Sequence, residues 1–165
     1  MATKGKSIVS GMWARIRLGG FSSPAKAIEE LESEEVHVTY VAYSIIAGKL
    51  AITRDGHVDI DLVNVPVRDL GFTELARFDR VCERARELGL EIVPQDTALY
   101  VAYQAGDHVD RDEVVKFGME GVTDSDGVPH VFGLDRRQDG VLLLYARPVA
   151  PENQLHPDDW VVFRK

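Results

Sequence analysis

The stretch GVTDSDGVPHVFGLDRRQDGVLLLYA, residues 121–146, decides the fold that we expect. Two Asp-Gly pairs, at 126–127 and 139–140, separate apolar and β-branched runs within it. Such a pair is a strong signal for a β-hairpin, because glycine readily adopts the positive φ of a tight turn. Strands joined so closely pair antiparallel, since a parallel return needs a crossover of about a dozen residues. We therefore predict an antiparallel meander with strands at about 113–122, 128–134 and 141–146.

Hydrophobic periodicity adds further elements outside this meander. Residues 57–65 alternate Val58, Ile60 and Leu62 with polar residues, which is the period of a half-buried strand, and a third Asp-Gly pair precedes them at 55–56. Apolar residues at helical spacing predict one long helix from Thr73 to Leu88, with Gly89 as its C-terminal cap. We also predict strands at about 98–104 and 160–164.

Helical signals dominate the N-terminal region. Ile8, Val9, Met12, Trp13 and Ile16 follow helical spacing up to Gly19 and Gly20. Ser23-Pro24 is typical of the start of a second helix, which we expect to run to about Leu31. Residues 38–50 suit either a strand or a helix, and we favour a helix up to Gly48.

These elements predict an α+β fold with N-terminal helices, followed by one long helix packed on a mostly antiparallel sheet of four to six strands. We expect a helical N-terminal region at residues 1–56 and an α+β domain at residues 57–165. The two are expected to form one compact unit.

Composition narrows the class of function. The 165-residue chain has 19 basic and 27 acidic residues, a net charge of −8 that repels nucleic acid. Its apolar runs are shorter than the ~18 residues of a membrane span, and its start is a poor signal peptide, so we expect a cytoplasmic protein that does not insert into membranes. The single cysteine, Cys82, excludes an internal disulfide and a CxxC metal pair. Without a complete phosphate loop, GxGxxG, GxSxG or HExxH, we expect no cofactor and no metal.

Two glutamates are the candidate catalytic residues. Glu91 and Glu120 each lie among apolar residues at predicted strand positions. If both faced one cleft, desolvation would raise the pKa of one carboxyl and create an acid/base pair. The alternative is that each glutamate points to the open face of the sheet.

Polar residues around the TDSDG segment are candidate ligand-binding groups. Asp124 and Asp126 lie in the segment itself, and His130 follows it closely. An EF-hand loop fails at this position in either register, whereas aspartate before Asp-Gly suits a hairpin turn. We therefore favour a turn over a ligand site. The acidic run at 107–113 is likewise expected to be a solvated loop rather than a cation site.

Segments of the second part of the chain occur in a characteristic order: VPVRDLGF (65–72), ELGLEIVP (87–94), ALYVAY (98–103), GMEGVTDSDG (118–127) and WVVFRK (160–165). They resemble a group of bacterial proteins that share LGLELCP, LRLQY and MEPITDSDG segments and a terminal WVF strand. The resemblance covers about residues 57–165, and we know of no established activity for the group.

The resemblance implies that a common site would use the polar residues at matching positions, which are Glu91, Tyr103, Glu120, Asp124, Ser125, Asp126 and Trp160. The chain departs from the group at three positions. Val93 replaces a cysteine, and Tyr100 and Ala102 replace an arginine and a glutamine, which argues against a polar site on that segment.

We therefore predict a non-enzymatic domain that acts by binding, with a partner protein or a second copy of the chain on the open face and edges of the sheet. The first alternative is a small, hydrolase-like acid/base enzyme that uses Glu91 and Glu120. The second is a divalent-cation module at 107–113 or 124–126.

Overall fold

The computed structural model describes residues 11–53 and 56–165. Its strands are β1 (Ala14–Leu18), β2 (Val36–Val38), β3 (Val58–Pro66), β4 (Ala76–Arg77), β5 (Val114–Phe117), β6 (Val122–Thr123), β7 (Pro129–Arg136), β8 (Leu142–Pro148), β9 (Gln154–Leu155) and β10 (Trp160–Arg164). Its helices are α1 (Pro24–Ser33), α2 (Tyr40–Gly48), α3 (Phe78–Glu87) and α4 (Thr97–Ala105), with short 3₁₀ helices at Val67–Leu70 and Gly106–His108. Within this described part of the chain, no helix is long and apolar enough to cross a membrane.

One large mixed sheet organises the fold. Its strand order is β1-β3-β10-β5-β7-β8-β2, with β6 paired to β7, and it curls strongly into a half-barrel. The pairs β10–β5 and β2–β8 are parallel, and the other pairs in this sheet are antiparallel. β4 and β9 form a separate two-stranded ribbon.

Two of the predicted hairpins are confirmed. β6 and β7 flank a turn in which Gly127 has a φ of 81°, and β7 and β8 flank a turn in which Gly140 has a φ of 90°. In the first turn Asp124 Oδ1 accepts hydrogen bonds from the backbone N–H groups of Asp126 and Val128, both at 2.9 Å. The third Asp-Gly pair includes Asp55, which lies outside the described residues.

The prediction of a mostly antiparallel sheet with four to six strands is wrong, because the observed sheet has eight strands and is mixed. The predicted N-terminal helix is also wrong, since residues 14–18 form β1. Arg15 and Arg17 make ion pairs of 2.7 and 2.8 Å with Asp61 and Asp59 on β3. Cross-strand pairing with a segment more than forty residues away therefore overrides the helical spacing. Ile8 and Val9 lie outside the described residues.

Two further elements differ from the prediction. Residues 97–105 form the helix α4, where a strand was predicted. The prediction is wrong because α4 is buried on almost every side, so its sequence lacks the amphipathic period that indicates a helix. The long helix is shorter than expected, since residues 76–77 form β4 and α3 begins at Phe78. The predicted strand at 113–122 is divided into β5 and β6.

Other local predictions are confirmed. α1 begins at Pro24, and the Ser23 hydroxyl caps it by accepting the N–H of Lys26 at 3.1 Å. Residues 40–48 form a helix, while residues 58–66 and 160–164 form strands.

The edge of the sheet at β1 is capped by a side chain from α4. Gln104 Oε1 accepts the backbone N–H of Arg17 at 2.8 Å, and Gln104 Nε2 donates to the carbonyl of Arg17 at 2.7 Å. An edge strand whose outward groups are already bonded is a poor template for another strand. At Arg17, this edge is therefore less available for binding than the sequence suggests.

Candidate functional site

The two predicted catalytic glutamates lie in different settings. Glu91 forms an isolated bridge with Arg164, through backbone hydrogen bonds of 2.9 and 2.8 Å, and its side chain is exposed. Glu120 is also exposed and lines a shallow groove with Met119, Gly121 and Pro129. Glu91 does not line that groove, and neither glutamate has the burial that an acid/base pair needs.

Asp124, Asp126 and His130 do come together at the β6–β7 turn. The buried His130 ring places Nδ1 3.0 Å from the carbonyl of Val128 and 3.9 Å from Asp124 Oδ2. Hydrogen bonds from the N–H groups of Val128 and Asp126, together with the nearby His130, hold the pKa of the Asp124 carboxyl below its ordinary value. These contacts give Asp124 a structural role in the turn.

Tyr103 lies apart from that group, on α4. Its ring packs edge-on against Phe21 with a centroid distance of 5.5 Å. It lines an open, polar groove that also includes Arg136, Asp107 and Asp139. Within residues 11–53 and 56–165, no group of three or more histidine, cysteine, aspartate or glutamate side chains is placed to hold a metal ion.

Another cleft uses none of the predicted site residues. It lies between one face of the sheet, residues 148–155 and the start of α3, and opens to solvent. Its apolar wall consists of Phe78, Val131, Phe132, Pro148, Val149 and Leu155. Its polar groups come from Lys116, Tyr145, Arg147, Asn153 and Gln154. An apolar pocket with a few convergent polar groups is typical of a ligand site.

Strand register builds the floor of this cleft. Lys116 on β5 pairs with Gly133 on β7, which pairs in turn with Tyr145 on β8. Residues that pair directly across antiparallel strands project to the same face, so these three form one row across the sheet. A Cβ atom at Gly133 would stand 2.4 Å from the Cζ and hydroxyl oxygen of Tyr145. The tyrosine ring therefore lies over Gly133 and points along the row toward the strand that carries Lys116.

The Tyr145 hydroxyl is the unusual group in the cleft. It is buried and has no hydrogen-bond partner among the described residues. Burial raises the pKa of this phenol to about 12, against an opposing effect of Arg147 and with smaller contributions from Asp135 and Asp159. The group is therefore protonated at neutral pH and able to donate a hydrogen bond. Leaving such a group unpaired costs about 1–3 kcal/mol.

Two cationic side chains line the same cleft as the Tyr145 hydroxyl. The Lys116 side chain is only 12% exposed, and its Nζ lies 3.5 Å from Asp159 Oδ1. The other oxygen of Asp159 accepts the backbone N–H of His156 at 2.8 Å, which fixes the carboxylate. Arg147 is exposed where it lines the cleft. Lys116 and Arg147 thus bring two positive groups to the cleft, and the carboxylates of Asp135 and Asp159 lie near the same hydroxyl.

The lining of the cleft contains a restricted set of polar side chains. Among the described residues that line the cleft, none is a carboxylate, histidine, cysteine, serine or threonine. The phenol is a hydrogen-bond donor because its pKa is far above neutral pH, and it is a poor base for the same reason.

Sequence reasoning missed Lys116, Gly133 and Tyr145 because they belong to no local motif. The available signal was Gly133, a lone glycine within a strand of bulky residues. Such a glycine often marks a place where another group approaches the backbone closely.

Comparison of the chain with protein-family models, curated proteins and solved structures finds no match. None of these comparisons tests the resemblance of residues 57–165 to the bacterial group described above, which stays a prediction.

Proposed function

We propose that this protein is a non-enzymatic, cytoplasmic binding domain, and that its cleft accepts a carboxylate carried on an apolar body. The buried hydroxyl of Tyr145, which has no partner among the described residues, carries the proposal. A carboxylate oxygen would accept a hydrogen bond from this phenol and would be attracted by Lys116 and Arg147. The apolar wall around Phe78 and Leu155 would cover the rest of the ligand.

Two sources supply this chemistry: a free carboxylic acid, or the carboxylate of a partner protein. The face of the sheet would be the contact surface in either case, since the cleft lies on that face. No observation among the described residues favours the acid/base alternative, because Glu91 and Glu120 are exposed and do not line one pocket.

The test is an NMR titration of the folded protein with benzoate, with benzyl alcohol as its neutral counterpart. We expect saturable shifts of the backbone amides of Gly133 and Tyr145 with benzoate and much weaker shifts with benzyl alcohol. Tyr145→Phe should weaken benzoate binding about 10- to 150-fold, since a hydrogen bond to a charged group contributes about 1.5–3 kcal/mol. Tyr40→Phe is the matched control, because Tyr40 is 85% exposed on α2.

Two further comparisons complete the test. Arg147→Gln should weaken benzoate binding, whereas Arg111→Gln, at an exposed position outside the cleft lining, should not. The peptide Gly-Gly-Phe with a free terminal carboxylate separates the two sources, since tighter binding than benzoate indicates a protein partner. Equal affinity of wild type and Tyr145→Phe for benzoate, or equal binding of benzyl alcohol, would refute the proposal.

A further inference from the structure

A second groove lies at one end of the strands β1, β3 and β10 and contains both tryptophans of the chain. It has a volume of about 290 Å³ and is lined by Gly11, Met12, Trp13, Val63, Asn64, Val65, Pro66, Asp69 and Trp160. None of these residues lines the cleft that contains Tyr145. We propose that this groove binds an alkylammonium or guanidinium group.

The aromatic surface of the groove is accessible. Trp160 begins β10 opposite Pro66 and is 39% exposed. Trp13 is half-buried, and its ring meets that of His108 edge-on at 5.8 Å, which holds it in place. Tryptophan is the side chain whose ring face attracts a cation most strongly. Two tryptophans in one groove therefore favour a positively charged ligand.

The buried side-chain oxygen of Asn64 requires a hydrogen-bond donor from the ligand. Asn64 pairs with Val162 on β10, two residues from the Trp160–Pro66 pair, so Asn64 and Trp160 project to the same face of the sheet. Its Oδ1 atom is buried and has no partner among the described residues. An apolar ligand would leave this oxygen unpaired, whereas an N–H donor would satisfy it.

The charges of the groove point the same way. Asp69 contributes a half-buried carboxylate, and none of the described lining residues is a lysine or an arginine. Ring faces, a carboxylate and an orphan carbonyl oxygen are all electron-rich. The net charge of −8 adds a long-range attraction for cations. An ammonium or guanidinium group supplies the positive charge and the N–H donors together.

The test follows the indole N–H signals of Trp13 and Trp160 by NMR during titration with n-butylammonium. We expect both signals to shift and saturate with n-butylammonium, and to respond weakly to n-butanol and butyrate. Asp69→Asn and Trp160→Leu should each weaken binding about two- to thirtyfold, the range expected for one charge or cation–π contact. Asp126→Asn, at the exposed β6–β7 turn, is the matched control for the first variant.

Asn64→Leu separates a loss of binding from a loss of folding. It keeps the size of the side chain and removes the unpaired oxygen, so the protein should stay folded while n-butylammonium binding weakens. N-acetyl-Gly-Lys-Gly-amide identifies the source of the cation: tighter binding than n-butylammonium indicates a lysine of a partner protein, and equal binding indicates a free amine. Indole signals that do not move with n-butylammonium, or that move equally with n-butanol, would overturn the proposal.

Discussion

The ring of Tyr145 lies so close over Gly133 that any side chain at position 133 would collide with it, with a Cβ atom only 2.4 Å from the tyrosine hydroxyl oxygen. The two residues sit on neighbouring strands in direct register. The absence of a side chain at one position therefore determines the place of the ring at the other, and with it the shape of the cleft.

Gly133→Ala tests this relationship. The added methyl group must displace the ring, and such overpacking costs about 1–3 kcal/mol in the free energy of unfolding. In a Tyr145→Val background the same change should cost much less, because the ring is gone. Gly48→Ala at the end of α2 is the control, since no atom lies within 4 Å of its added Cβ and its stability should hold or rise. Urea denaturation measures all four variants, and an equal cost of Gly133→Ala in both backgrounds would contradict the contact.

Tyr145→Phe should stabilise the protein while it weakens ligand binding. The substitution removes a buried hydroxyl without a partner and keeps the ring, so the desolvation penalty of about 1–3 kcal/mol is relieved. Thermal unfolding without ligand should therefore give a higher Tm than wild type. A clear loss of stability would mean that the hydroxyl makes a hydrogen bond in the folded protein.

Asp96 should make the stability fall as pH rises through the acidic range. Burial raises the pKa of its carboxyl, although hydrogen bonds from the N–H and hydroxyl of Thr53, at 2.7 and 3.1 Å, act in the opposite direction. The folded state therefore retains a proton that the unfolded state has already lost, so the contribution of Asp96 is fully present below its unfolded pKa and is lost as pH rises through its folded pKa.

Asp96→Asn should remove this part of the pH dependence, which urea denaturation at a series of pH values will reveal. Asparagine keeps an acceptor for the N–H of Thr53, so the variant should stay folded at neutral pH. Asp96→Ala loses that acceptor and should be about 1–3 kcal/mol less stable than Asp96→Asn at every pH. Identical pH profiles for wild type and Asp96→Asn would show that the carboxyl does not titrate differently in the folded state.

Cys82 should be protected from thiol reagents in the native protein. The residue is buried on α3, and burial raises the pKa of its thiol to about 12. Because the thiolate is the reactive form, the native protein should hold about a thousandfold less of it than an ordinary cysteine near neutral pH. Reaction with a disulfide reagent should be slow until guanidinium unfolds the chain. Rapid native labelling would contradict the burial.

The parts of the fold that sequence predicted are those that short-range chemistry determines. Gly127 and Gly140 adopt the positive φ that their Asp-Gly pairs indicated, and Ser23-Pro24 begins a helix as expected. The N-terminal strand was not predicted, because Arg15 and Arg17 pair with residues of β3, far along the chain. The strand predicted at 98–104 is wrong because α4 is buried on almost every side, so its sequence lacks the amphipathic period that would have indicated a helix.

The candidate sites could not be predicted from short sequence segments for a related reason. Lys116, Gly133 and Tyr145 form a row only through the register of three strands, and register is not written in any short segment. Trp160 and Asn64 likewise line one groove only through the register of β3 and β10. The turn residues that sequence did select, such as Asp124, are conspicuous because tight turns need them.

The inner position of β10 has a consequence for synthesis on the ribosome. Residues 160–164 join β3 to β5, yet they leave the ribosome after every other described strand has been made. Until then β3 and β5 each present an unpaired edge, and exposed edges of this kind invite association with other nascent chains. Pairing of β3 and β5 through β10 must therefore wait until residues 160–164 have emerged from the ribosome.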